Sequence, residues 1–169
     1  MIGSTRAAIV FGDLSMPYQF TMTRRVEFSD TDMAGIMHFS NFFRFMEAAE
    51  HAFFRSFGAS VVTSDGSRKI GFPRVRVACR YHRPARFEDE LTVRLIVREV
   101  RAGRIRYEFL FHREQETQGR PLARGEMEVA CVEHAGDGVL RATDIPSEIL
   151  EHIQSAPSSV IESLERIDA

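Results

Sequence analysis

Apolar residues recur with a period of two at Tyr18, Phe20, Met22, Val26 and Phe28, which predicts a strand over 18–28. The strand stops at Ser29-Asp30-Thr31-Asp32, a turn-prone polar cluster, and a short loop through Gly35 and His38 follows. From Asn41 to Phe57 the pattern changes to that of a helix, with Ser40 or Asn41 able to cap its start and Gly58 placed to close it. Phe42, Phe43, Phe45, Met46, Ala48, Ala49, Ala52, Phe53, Phe54 and Phe57 cover most of its circumference, and Arg44, Glu47, His51 and Arg55 form a narrow polar stripe. A helix that is apolar nearly all round is buried.

Residues 59–69 read as a polar connection. Beyond it, four segments alternate with a period of two: 74–82, 91–98, 105–112 and 126–132. Each predicts a half-buried antiparallel strand. Turns are expected at Arg83-Pro84-Ala85, Ala102-Gly103, Gly119-Arg120-Pro121 and Gly136-Asp137-Gly138. Two short helices are expected after them. One begins at Pro146, which suits a first helical position, and the other spans 157–167 with Ile161, Leu164 and Ile167 on one face. A curved sheet wrapped around the helix is the economical way to bury it, so the pattern predicts an α+β hot-dog fold: a curved antiparallel sheet around a long central helix. The expected organisation is a lead-in at 1–17, one domain at 18–155 and a helical tail at 156–169. An open sheet has edges, and pairing of an edge with a second copy is the expected remedy.

Composition narrows the field. The chain of 169 residues is 44% hydrophobic and can fill one core, in which 14 Phe and no Trp set the tone. A formal net charge of -2 argues against a general nucleic-acid binder. Arg is nonetheless concentrated over 68–106, and 144–169 is acidic. That Arg excess is either the solvated face of a sheet or a patch for phosphate. Cys79 and Cys131 form no CxxC pair, so neither a disulfide framework nor a zinc site is expected. No signal-peptide pattern and no bilayer-length apolar run is present, and a cytoplasmic protein without membrane attachment is expected.

The densest chemistry lies between the first strand and the helix, over Phe28–Phe42. A helix start offers backbone N–H donors and a positive dipole end, which can polarise a carbonyl oxygen. A carboxylate in the loop before it can act as nucleophile or as base for water. Asp30 and Asp32 are equally ordinary turn residues, His38 is an ordinary loop histidine, and Glu47 with His51 is an ordinary contact along a helix face. No further ordered acids support a metal, and there is no G-x-S-x-G elbow, P-loop or G-x-G-x-x-G.

The stretch from Val26 to Gly58 closely resembles the opening motif of the 4-hydroxybenzoyl-CoA thioesterase family. That motif is an aspartate-x-aspartate, a small pair ending in Gly, two apolar residues, then an Asn-aromatic and a helix. Gly71-Phe72-Pro73, Pro84–Leu91 and Leu140–Ile153 resemble later parts of the same family, so the likeness covers roughly 18–154. It implies a hot-dog acyl-CoA or aroyl-CoA thioesterase. Asp32 would be the catalytic carboxylate and the Phe39 backbone N–H the donor to the thioester carbonyl. Gly35, His38, Asn41 and Glu47 fall at substrate-side positions. Arg101 falls where the family has a basic residue near the coenzyme A phosphates, with Arg104 as its neighbour. No cofactor is implied, because coenzyme A is part of the substrate. A homodimer or homotetramer is implied. Two other classes share the fold: a non-catalytic acyl-thioester binding protein, and a hydratase that would need His38 and Glu47 to converge.

Overall fold

The computed structural model describes residues 7–8 (backbone), 18–65, 68–116, 119–135 and 138–166. The predicted lead-in therefore lies outside the described residues apart from β1 (Ala7–Ala8), whose backbone pairs with Thr21 and Met22. The main sheet contains β1, β2 (Gln19–Arg25), β5 (Arg74–Tyr81), β6 (Glu90–Arg101), β7 (Arg104–Arg113) and β8 (Ala123–Ala130). Their order across the sheet is β1-β2-β6-β7-β8-β5, and every pairing is antiparallel. The long helix α1 (Asn41–Ser56) packs on one face of this sheet. That is the predicted hot-dog architecture.

Burial of α1 follows from its sequence. Phe42, Phe45, Met46, Ala49, Phe53 and Phe54 are buried against Phe20, Leu91, Leu95, Ile105, Phe109 and Phe111 of the sheet. Each large apolar side chain removed from water contributes roughly 1.5–3 kcal/mol, which makes this contact the main stabilising term. The helix can approach because Gly125 on β8 has no side chain: a Cβ there would stand 2.6 Å from the Met46 sulfur. The helix ends as predicted, with Gly58 at φ +79°, a left-handed conformation that glycine adopts freely.

Four features depart from the sequence expectations. Residues 59–69 are not a plain connection; they hold β3 (Val62–Asp65) and the start of β4 (Arg68–Gly71), a hairpin that joins β9 (Val132–His134) and β10 (Leu140–Ala142) in a second, four-stranded sheet. Period-two reading misses it because its strands are short and carry few apolar residues. The first strand stops earlier than 28, since Phe28–Asp30 form a turn of 3-10 helix. Strand β5 has a bulge between Arg74 and Arg76, so Arg74 pairs with buried Val129 and turns toward α1 instead of the outer face. Finally, the central strands are covered on both faces. The second short helix predicted near the C-terminus, α3 (Ser158–Arg166), lays Leu164 over Ile96 and Leu110. Beneath it, fully buried Glu108 is paired with Arg98 (2.6 Å) and Arg124 (2.7 Å), and Arg124 also donates to the Leu164 carbonyl (2.9 Å). The first predicted helix is α2 (Ser147–Leu150), with Pro146 just before it. Ile167, Gly136 and Asp137 lie outside the described residues.

Gly125→Ala is expected to lower stability by about 1–3 kcal/mol, because Met46 is fully buried and its sulfur has little room to yield. Urea denaturation measures this, and an unchanged midpoint would contradict the close helix–sheet approach.

Candidate active site

The loop from Asp30 to Ser40 is stitched into a small hairpin of its own. Thr31 pairs with Met37, the Asp32 N–H donates to the Ile36 carbonyl (2.9 Å), and the Gly35 N–H donates to the Asp32 carbonyl (2.9 Å). Gly35 takes φ +70°, the left-handed turn that lets this hairpin close so tightly. The outer arm is fastened to the β5–β6 turn: Ile36 pairs with Arg86, and the Met37 N–H donates to the Ala85 carbonyl (2.8 Å).

The Asp30 carbonyl joins this hairpin to α1. It accepts both the His38 N–H (2.8 Å) and the side-chain amide of Asn41 (2.9 Å). Asn41 is buried, so its amide is committed to this bond. The Asp30 carboxylate, also buried, accepts the Glu27 N–H (3.0 Å). Of the two loop aspartates, Asp30 is thus the structural one. Asp32 is part-exposed; its Oδ1 accepts the Ala34 N–H (2.8 Å), and its Oδ2 has no hydrogen-bond partner among the described residues. One oxygen is oriented and the other is available.

Neither Ser40 nor Asn41 makes the predicted side-chain cap. The Ser40 hydroxyl meets His38 Nδ1 instead (2.8 Å), and Asn41 reaches back to Asp30. The donor of interest lies two residues before the helix. The His38 carbonyl accepts the Asn41 N–H (2.9 Å). In a trans peptide the N–H points opposite to the C=O, so the Phe39 N–H is directed away from the first helical turn. It has no hydrogen-bond partner among the described residues, and the Phe39 side chain is 59% exposed.

The loop therefore brings Asp32, Gly35, His38, Phe39 and Asn41 together. The other predicted site residues lie elsewhere. Glu47 is two turns along α1 and pairs with Arg74 (3.2 Å). His38 is engaged by Ser40, so the convergence of His38 and Glu47 that a hydratase needs is not made within one chain. Arg101 and Arg104 face each other across the β6–β7 turn, paired with Glu99 (2.7 Å) and Glu128 (2.5 Å). About 35 Å of strand β6, at ~3.3 Å per residue, separates that turn from the end nearest the loop. A cavity of about 470 Å³ is also remote. It lies at the far end of α1 between Phe57, Ile70, Ile149 and His152.

Sequence reasoning misses Glu50, which lies off the polar stripe and on the buried face of α1. It is 0% exposed, with Oε2 at 2.5 Å from Arg74 and Oε1 without a hydrogen bond among the described residues. The signal is its phase: residues 46, 49, 50 and 53 share the core face. Burial pushes its carboxyl up to about 7, opposed by the Arg74 charge and reinforced by Glu47. Burial and the Arg74 charge hold His51 below its ordinary value, so at neutral pH its 4.0 Å contact with Glu47 is not a charged pair. The hydroxyl of Tyr107 is likewise buried and lacks a hydrogen bond among the described residues; burial, then the Glu50 charge, raises its pKa.

A curved antiparallel sheet around one long helix defines the hot-dog class of fold. The Thioesterase-like superfamily matches residues 26–153, and the chain belongs to that family. Its enzyme class is thioester hydrolase. It is 28% identical over 147 residues to a 4-hydroxybenzoyl-CoA thioesterase of Pseudomonas sp. strain CBS-3, covering 80% of this chain and 98% of that one. It is 25% identical over 130 residues to the acyl-CoA thioesterase YbgC of Haemophilus influenzae, covering 77% and 90%. Among solved structures, a gentisyl-coenzyme A thioesterase superposes with a TM-score of 0.63 at 30% identity, covering 77% of this chain and 98% of that one.

The raised Glu50 value has a consequence for stability. A folded-state pKa above the unfolded one means that the folded chain holds the proton more tightly. This contribution is fully present below pH 4.5 and is lost as pH rises to about 7. Relative to Glu50→Gln, the wild type should lose up to roughly 3 kcal/mol of unfolding free energy between pH 4.5 and 8. Urea titrations of both proteins at several pH values measure it; parallel pH profiles would contradict the assignment.

Proposed function

We propose that the chain hydrolyses an acyl- or aroyl-CoA thioester at the loop–helix junction. The observation that carries this reading is that one loop holds both an oriented Asp32 carboxylate and a Phe39 N–H, with one carboxylate oxygen and the N–H unpartnered among the described residues. The thioester carbonyl oxygen accepts the Phe39 N–H, which stabilises the charge that develops as the carbonyl carbon becomes tetrahedral. Asp32 attacks that carbon, or takes a proton from a water that attacks it, and coenzyme A leaves as the thiol. Gly35 keeps the loop turn free of a side chain where the acyl group enters. The relatives named for CoA-thioester substrates support the substrate class.

Assembly is part of the proposal. The strand β5 edge is exposed and carries Val75, Val77 and Tyr81, each about half exposed, and Phe28, Met33, Phe39 and Phe87 crowd the surface near the loop. A second copy pairing along β5 buries that edge and covers the loop. It also offers a route by which the Arg101 and Arg104 guanidinium groups of one copy reach the phosphates of a ligand at Asp32 of the other.

Asp32→Asn is expected to lower kcat for thiol release by at least about 100-fold across a panel of acyl-CoAs while the variant still binds them. Unchanged turnover would remove Asp32 from the site. Val77→Lys is expected to shift the sedimenting species from dimer or tetramer toward monomer; an unaltered assembly would exclude β5 as the contact.

A further inference from the structure

The geometry points to Tyr81 as a positioning residue for the Phe39 N–H, acting through a hydrogen bond from its hydroxyl to the Phe39 carbonyl. This inference rests on the proposed role of that N–H in binding the thioester carbonyl.

Phe39 has little else to hold it. It is more exposed than buried, and among the described residues its one ring contact is with His38, tilted, with centroids 4.4 Å apart. It lies outside both the loop hairpin and the helix, so no ladder fixes its backbone. Two peptide planes meet at its Cα. The preceding plane is fixed where the His38 carbonyl accepts the Asn41 N–H (2.9 Å). The following plane is held at two atoms: the Phe39 carbonyl accepts the Tyr81 hydroxyl (3.1 Å), and the Ser40 N–H donates to His38 Nδ1 (3.3 Å). The N–H itself lies in the preceding plane; holding the following plane anchors the Phe39 Cα and so limits how far the preceding plane, and the N–H with it, can rock. Among the described residues, Tyr81 supplies the only side-chain hydrogen bond to Phe39.

The phenol can serve as an anchor because it is itself held. Its ring packs edge-on against Phe42 (5.2 Å), which packs edge-on against Phe111 in the core (5.1 Å). Burial, together with Cys79, pushes its pKa up to about 12, so the hydroxyl remains a donor throughout the working pH range. Tyr81 also ends the exposed edge strand β5. The same strand that would meet a second copy thus sets the donor in the site.

Tyr81→Phe removes the hydroxyl and keeps the ring. Full loss of one such donor costs about 10²–10³ in kcat, and misorientation should cost about tenfold, with KM and the thermal midpoint unchanged. A loss confined to KM or to the midpoint, with kcat intact, would assign the hydroxyl to packing and overturn the inference. The second measurement reads the carbonyl itself. The thioester carbonyl stretch of benzoyl-CoA bound to Asp32→Asn should move to lower frequency than in water, and adding Tyr81→Phe should reverse most of that move. Equal frequencies in the single and double variants would overturn the role of Tyr81 and leave the site reading standing. If Asp32→Asn alone keeps full turnover, the site reading fails, and the Tyr81 inference fails with it.

Discussion

The Asp30 carbonyl accepts two hydrogen bonds, from the His38 N–H and the Asn41 amide, and the site depends on both. They tie the loop that carries Asp32 to the residues that lead into α1. The helix cannot shift without moving the loop, and the helix is itself held by Phe45, Phe53 and Phe54, none of which retains any exposure. A few weak bonds at the junction therefore inherit the rigidity of the whole core. Asn41 does this better than an ordinary cap would. Its amide donates to a carbonyl across the loop, whereas a cap would accept from its own helix.

The core also carries charge where the fold could have used only apolar groups. Glu50 and Arg74 are brought together under α1 by the bulge in β5, and Glu108, Arg98 and Arg124 are brought together under α3. Replacing such sets with apolar residues is often neutral or stabilising, so their presence is not explained by stability alone. Under α1 the ion pair fixes the first residue of the edge strand whose last residue is Tyr81. Under α3 the network ties the tail, which lies beyond the matched residues 26–153, to the sheet.

Much of this was legible in the sequence because burial imposes a period. The positions of strands β6, β7 and β8 and of helix α1 follow the periodicity, although β6 and β7 are buried on both faces where α3 covers them, and Gly58 ends α1 as a glycine in that position should. The hairpin of β3 and β4 was not legible, because neither strand presents an alternating apolar face. Glu50 was hidden by its chemistry: a glutamate in a helix suggests solvent, and only its phase betrays the core. Tyr81 could not be linked to Phe39 because 42 residues separate them and the link is a hydroxyl to a backbone carbonyl. Pattern finds side chains that share a face; it does not find single polar bonds across the fold. Family likeness alone chose Asp32 over Asp30; in the structure Asp30 is buried and occupied, while one Asp32 oxygen has no partner among the described residues.

A crystal structure of Asp32→Asn with an unhydrolysed aroyl-CoA tests the central claim most directly. The account predicts the thioester oxygen about 3 Å from the Phe39 nitrogen, with the residue 32 side chain facing the carbonyl carbon. A ligand whose acyl group lies elsewhere, for instance in the cavity between Phe57 and His152 at the far end of α1, would contradict it.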